Sequence, residues 1–166
     1  MAAPKWKLAK GKTWRQKLEQ EHPNHGKTVP IPPRMQKRFG RGTMLIPRPL
    51  DVDAVMRKPG RGRLITQSQI RDLLAKASEA DSACPLTTGM FARIAAEAAE
   101  EDLKAGKKRI TPYWRTIKDN GALNDKFPGG TRAQAAKLRQ EGLTISAGRG
   151  KTPPKVKDFE KHLVKL

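Results

Sequence analysis

The sequence predicts a mainly α-helical fold with one short β-hairpin, in which two successive helices form a helix-turn-helix-like pair behind an irregular basic arm. Three observations carry this expectation. From Asp51 onward apolar residues recur at spacings of three and four, with capping patterns ahead of them. A β-prone run over residues 110–117 ends in Lys118, Asp119, Asn120 and Gly121, a strong turn signal. The first 50 residues hold 12 Lys or Arg against only Glu19 and Glu21, together with seven of the 13 prolines. Each proline removes a backbone donor and biases its predecessor towards extended geometry, so long helices are not expected there.

A chain of 166 residues suffices for one domain with a modest core and an arm. Lys and Arg number 35 and Asp and Glu 16, leaving a net charge of +19 that opposes compaction unless a polyanion screens it. Nucleic acid is therefore the expected partner, and a membrane is not. The hydrophobic fraction of 36% is low enough that part of the chain is expected to stay outside a core. A single Cys excludes a disulfide framework and a cysteine-based zinc site. No apolar run approaches the ~20 residues that span a bilayer, and no secretory stretch is visible, so a cytoplasmic protein is expected, nucleoid-associated in a bacterium. Nothing resembles a coiled-coil seam, and a monomer is expected.

The expected organisation is a Pro-rich basic arm over residues 1–42, largely disordered, a domain over 43–145, and a Gly- and Lys-rich loop with a short final helix over 146–166. Within the arm, Thr13 and Gln16 form a capping box for a two-turn helix over residues 13–20. Val52, Val55 and Met56 mark a short helix stopped by Lys58, Pro59 and Gly60. Thr66 and Gln69 form a second capping box ahead of Ile70, Leu73, Leu74 and Ala77. Pro85 suits the first turn of the next helix, whose stripe is Met90, Phe91, Ile94, Ala95 and Ala98 and which Gly106 closes. Thr131 and Gln134 predict a third capping box and a helix ending at Gly142, and Val156, Phe159 and Leu163 predict a final short helix.

The order GRLITQSQI, CPLTTGMFARIAA, ITPYWRTI, NGALNDKFPGGTRAQAAKLRQEG resembles the C-terminal DNA-binding domain of the alkylguanine-DNA alkyltransferases and the alkyltransferase-like proteins, over about residues 50–145. That family reads IPCHRV, a Gly-containing turn, a GG pair, a helix and a closing HEG. Pro112, Arg115, Gly121, Gly129, Gly130, Glu141 and Gly142 occupy those positions here. The resemblance implies a winged-helix-like domain. It also implies loss of the family's chemistry, because alkyl transfer needs a thiolate nucleophile and a His to deprotonate it. Tyr113 stands at the Cys position and Trp114 at the His position, so no enzymatic activity is expected and no cofactor is implied. The Tyr that helps rotate the target nucleotide falls at Gln67 and the Arg finger at Gly89, with Arg93 one turn on as a substitute. Base flipping costs several kcal/mol of unstacking, which makes these positions important for damage recognition.

Tyr113, Trp114, Arg115 and Glu141 are thus the expected remnant of an alkyl pocket, either plugged by an aromatic ring or open for stacking on a base. The expected nucleic-acid contacts are Arg61, Arg63, Gln67, Thr87, Thr88, Arg93 and Arg115 in the domain, with Lys5, Lys7, Lys10, Lys12 and Arg15 in the arm, where Trp6 and Trp14 interleave with the cations. Glu97, Glu100, Glu101 and Asp102 are unfavourable beside phosphates, so their helix reads equally well as a packing element. His22 and His25 lack further ligands at metal spacing, and Cys84 reads as a small buried hydrophobe. The function expected is non-enzymatic binding of duplex or damaged DNA. The alternative is a ribonucleoprotein subunit whose arm becomes ordered on RNA. A third possibility, an enzyme built on Cys84 or the Tyr113 phenol, shows no base and orienter in the sequence.

Overall fold

A computed structural model describes residues 8–166 of the chain. They run through α1 (Trp14–Glu19), β1 (Thr28–Pro30), α2 (Pro33–Phe39), β2 (Thr43–Leu45), α3 (Pro49–Met56), β3 (Ile65–Thr66), α4 (Gln67–Ala77), β4 (Ser82–Ala83), α5 (Pro85–Lys104), a 3₁₀ turn (Tyr113–Arg115), β5 (Thr116–Ile117), α6 (Gly130–Gln140), β6 (Ile145–Ser146), β7 (Lys155–Val156) and a 3₁₀ turn (Phe159–His162). No helix among the described residues is long and apolar enough to cross a membrane.

Helix α5 is the axis of the larger core. Pro85 starts it without wasting a hydrogen bond, and Ala92, Ala95, Ala96, Ala98 and Ala99 are all buried along it. Such small side chains let α1, α3 and α4 pack on α5. Val52, Val55 and Met56 of α3, Ile70 and Leu74 of α4, and Leu18 of α1 fill the space around Phe91 and Ile94. A second core gathers Leu64, Ile117, Leu123, Ala135, Leu138, Leu143 and Val156. Trp114 packs against both cores and joins them.

The capping boxes at Thr13 with Gln16 and at Thr66 with Gln69 form as expected, each hydroxyl accepting from the third helical amide and each Gln answering the cap amide. The third does not. Gly129 is the N-cap of α6, and the Gln134 amide is spent elsewhere: its oxygen accepts from Asn124 N–H (2.8 Å), and its nitrogen donates to the carbonyls of Trp114 (3.1 Å) and Thr116 (2.9 Å). Buried backbone polar groups need such partners, and this one side chain satisfies three of them. Gly129 has φ +75°, and a Cβ there would lie 2.5 Å from that of Ala133.

Three other expectations change. The run before Gly121 makes no hairpin, because β5 pairs in parallel with β3, Ile65 against Thr116 and Thr66 against Ile117. The turn at Gly121 does form, with φ +86°, but the chain then crosses to the C-terminal segment, where Ala122 faces Lys155 and Leu123 N–H donates to the Pro154 carbonyl. Burial of Leu123 in the second core, with Ala122 buried beside it, draws it there. The final helix shrinks to one 3₁₀ turn, with Val156 in the antiparallel pair β6–β7.

Residues 8–42, read as arm, carry α1, β1 and α2. The expectation of a largely disordered segment does not hold for α1, since Leu18 is 0% exposed and lies in the larger core. Two turns of helix are marginal alone, and packing supplies what length cannot. Leu18→Ala is accordingly expected to lower unfolding free energy by about 2–5 kcal/mol in urea denaturation, whereas an unchanged midpoint would show that α1 stands outside the cooperative unit.

Candidate nucleic-acid interface

Glu141, at the C-terminal end of α6, anchors the motif residues. Its carboxylate accepts from Arg115 Nε (2.9 and 3.1 Å) and Nη2 (2.6 Å), from Trp114 Nε1 (3.1 Å) and from Gly62 N–H (3.2 Å). Arg115 also donates to the Pro59 carbonyl (2.8 Å). Burial pushes the Glu141 carboxyl up, and the bonds from Arg115, Trp114 and Gly62 overcome that push and hold it below its usual value. The Lys137 ammonium sits 4.7 Å from the Trp114 ring centroid. Arg115, expected to contact nucleic acid, is therefore committed to the interior, its side chain only 15% exposed.

Tyr113 turns away from this group. It is 1% exposed, lies edge-to-face with Trp114 and Phe127, and donates from its hydroxyl to Glu100 Oε1 (2.5 Å) on α5. Burial and the bond to Glu100 push its pKa well above that of an ordinary phenol, so it stays protonated. The structure thus brings Trp114, Arg115 and Glu141 together as a hydrogen-bonded unit and places the Tyr113 hydroxyl on its far side, as a core residue.

The acidic stretch of α5 also has internal partners. Glu101 accepts from the first two amides of α1, Trp14 N–H (2.8 Å) and Arg15 N–H (3.1 Å), as a capping carboxylate at a positive helix end. Asp102 pairs with Arg15 and with Lys107 Nζ (3.1 Å). Burial raises the Asp102 carboxyl, but Arg15 and Lys107 bring it below the ordinary value. Arg15, expected in the nucleic-acid interface, is thereby turned inward. Thr88 is a further correction, being 0% exposed with its hydroxyl donating to the Cys84 carbonyl (2.7 Å). Thr87, half-buried, donates to Cys84 Sγ (3.2 Å). Arg61 and Arg63 reach the carbonyls of Gln140 (2.8 Å) and Lys161 (3.4 Å) at another part of the surface. Lys10 and Lys12 are exposed just ahead of α1, and Lys5 and Lys7 lie outside the described residues.

What remains is a cleft of about 300 Å³ between the N-terminal turns of α4 and α5 and the segment that follows β5. Gln67 and Arg71, Pro85, Leu86, Gly89, Met90 and Arg93, and Lys118, Asn124 and Lys126 line it. Four of these ten side chains are cationic and none is acidic. Leu86 is 70% exposed. Asp119 holds the walls together, accepting from Ser68 N–H at the start of α4 (2.7 Å) and facing Arg71 at 3.6 Å. Burial raises the Asp119 carboxyl, and Ser68 and Arg71 more than offset it, leaving it lowered. Of the expected contacts, Gln67 and Arg93 meet here. Arg71, one helical turn after Gln67, was open to detection from its spacing. Leu86, Lys118 and Lys126 were not, because only the folded chain brings them beside α4.

The charge of Glu141 stabilises the folded state above the ordinary carboxylate value of 4.5, and that contribution disappears as pH falls through the lowered folded value. The stability deficit of Glu141→Gln relative to the parent is therefore expected to be largest at neutral pH and to shrink on acidification. A deficit independent of pH in chemical denaturation would remove the charge from the account.

Comparison with family models and with the curated proteins finds no match. Among solved structures, the crystal structure of S. pombe Atl1 in complex with damaged DNA containing O6-carboxymethylguanine is similar, with a TM-score of 0.50 and 15% identity over 71% of this chain and 94% of that one. At that identity the likeness is one of fold: the chain has a mostly helical fold with small sheets, like that of Atl1.

Proposed function

We propose that this protein is a non-enzymatic, alkyltransferase-like DNA-binding protein that seats duplex DNA, distorted or damaged, at the cleft between α4 and α5. The observation that carries the reading is the cleft itself, with Arg93, Lys118 and Lys126 around an exposed Leu86, and with Arg71 fixed in its wall beside Asp119. Cations neutralise phosphates and supply affinity without reading sequence. An exposed aliphatic residue among them is suited to press against a weakened base step, as apolar wedges do in proteins that bend DNA. A side chain at Gly89 would find open space, so nothing crowds the floor beside Leu86. The pair α4–α5 acts here as the helix-turn-helix of a winged-helix-like domain, and Lys10 and Lys12 add phosphate contacts from the side of α1.

The fold shared with a protein crystallised on damaged DNA supports this reading. The ribonucleoprotein alternative rested on an arm ordered only by RNA, and α1 is already packed on α5. Alkyl transfer has no nucleophile in this account, since the Tyr113 hydroxyl is buried and held by Glu100.

Titration with matched duplex, duplex carrying one alkylated guanine, and structured RNA across a salt series tests the proposal. Tighter binding to the alkylated duplex than to the matched one, weaker binding to RNA, and an unchanged intact protein mass after incubation are expected. Leu86→Ala and Arg93→Ala should erase the preference between the duplexes. Lys118→Ala and Lys126→Ala should weaken both alike and flatten the salt slope by roughly 1 each. Tighter binding to RNA, or a protein mass increased by the alkyl group, would overturn the reading.

A further inference from the structure

We propose that α2 and the turn after it are a second, independent phosphate-backbone contact for duplex DNA, made by Arg34, Lys37 and Arg38 of the helix and Arg41 of the turn. This inference rests on the DNA-binding reading and adds a surface outside the cleft.

Helix α2 is an oddity in energetic terms. None of its residues is buried, and its first turn holds no acidic residue to complement the helix dipole. Arg34 lies three residues before Lys37 and four before Arg38, the two spacings at which like charges on a helix repel. Among the described residues Arg34, Lys37 and Arg41 have no acidic partner, and Arg38 lies over the Phe39 ring at 4.9 Å. A seven-residue helix with these properties gains little from its own sequence.

It is nevertheless held firmly in place. The strands on either side of it, β1 and β2, pair antiparallel with Pro30 opposite Thr43, and Ile31 N–H donates to the Gly42 carbonyl (2.9 Å). Ile31 and Met44 are buried at the base of the hairpin. Asp81 accepts from Thr43 N–H (2.8 Å), and β2 pairs in parallel with β4, Met44 against Ser82. Only Cys84 separates β4 from α5. The hairpin therefore carries four exposed cations on a rigid mount bonded to the segment that leads into the cleft helix. Repulsion tolerated within an ordered element is relieved when an array of phosphates faces it, and the spaced charges of a duplex backbone supply that array where a single anion would not.

The test is the salt dependence of binding to matched duplex DNA by the full chain and by Arg34→Gln/Lys37→Gln/Arg38→Gln/Arg41→Gln. Each of the four lost phosphate contacts flattens the slope of log Kobs against log salt by roughly 0.9, so a slope shallower by about 3.6 is expected, with the preference between alkylated and matched duplex retained. Replacing Arg34, Arg38 and Arg41 by Lys should keep the parent slope, which separates charge from folding. On the parent protein, duplex DNA should shield Lys37 from an amine-modifying reagent. An unchanged slope in the Gln variant, or Lys37 modified equally with and without DNA, overturns the role of α2 while leaving the cleft intact. Failure of the parent to bind duplex at all overturns the DNA-binding reading instead.

Discussion

The burial of α5 along nearly its whole length is the constraint on which the rest of the molecule depends. A helix can be surrounded only if its side chains are small enough for neighbours to approach, and the run of alanines from Ala92 to Ala99 meets that condition. The same burial would strand the acidic residues of α5 beside the core if they had no partners. Glu100 takes the Tyr113 hydroxyl, Glu101 the open amides of α1, and Asp102 the charges of Arg15 and Lys107. One helix thus sets the position of α1, the direction of Tyr113 and the placing of its own N-terminal turn at the cleft.

Charge is sorted by this arrangement. The chain carries +19, and several of its acids are drawn into capping and pairing within the fold, at Asp53 with Arg57, Asp102 with Arg15, Asp119 with Ser68 and Glu141 with Arg115. Carboxylates used inside leave the outward field positive, and the exposed cations of α2 lie without acidic partners among the described residues. The segment around Tyr113 and Trp114 is structural in the same way. Its residues tie the two cores together through Trp114 and brace α6 through Glu141 and Gln134.

Legibility of the site in the sequence followed the distance over which each interaction acts. The capping boxes at Thr13 and Thr66 span three residues and were readable, as was the anchoring role of Glu141, which comes with the order of the motif pieces. The box expected at Thr131 failed because Gln134 satisfies backbone groups 10 to 20 residues away. The expected hairpin failed for a related reason: β5 finds its partner at β3, far back in the chain, rather than across the adjacent turn.

By itself the sequence determined the mainly helical class, the starts of α1, α4 and α5, the excess of positive charge and the adjacency of Tyr113 and Trp114. These depend on residue identity and on contacts within a turn or two. Only the tertiary structure decided which cations are spent and which are available. Arg15 reaches Asp102 across 87 positions and Arg115 reaches Glu141 across 26, whereas Leu86 is left in the open beside Arg93. Pairing and burial are properties of the folded surroundings, and no local pattern distinguishes an arginine that will be paired inside from one that will stay at the surface.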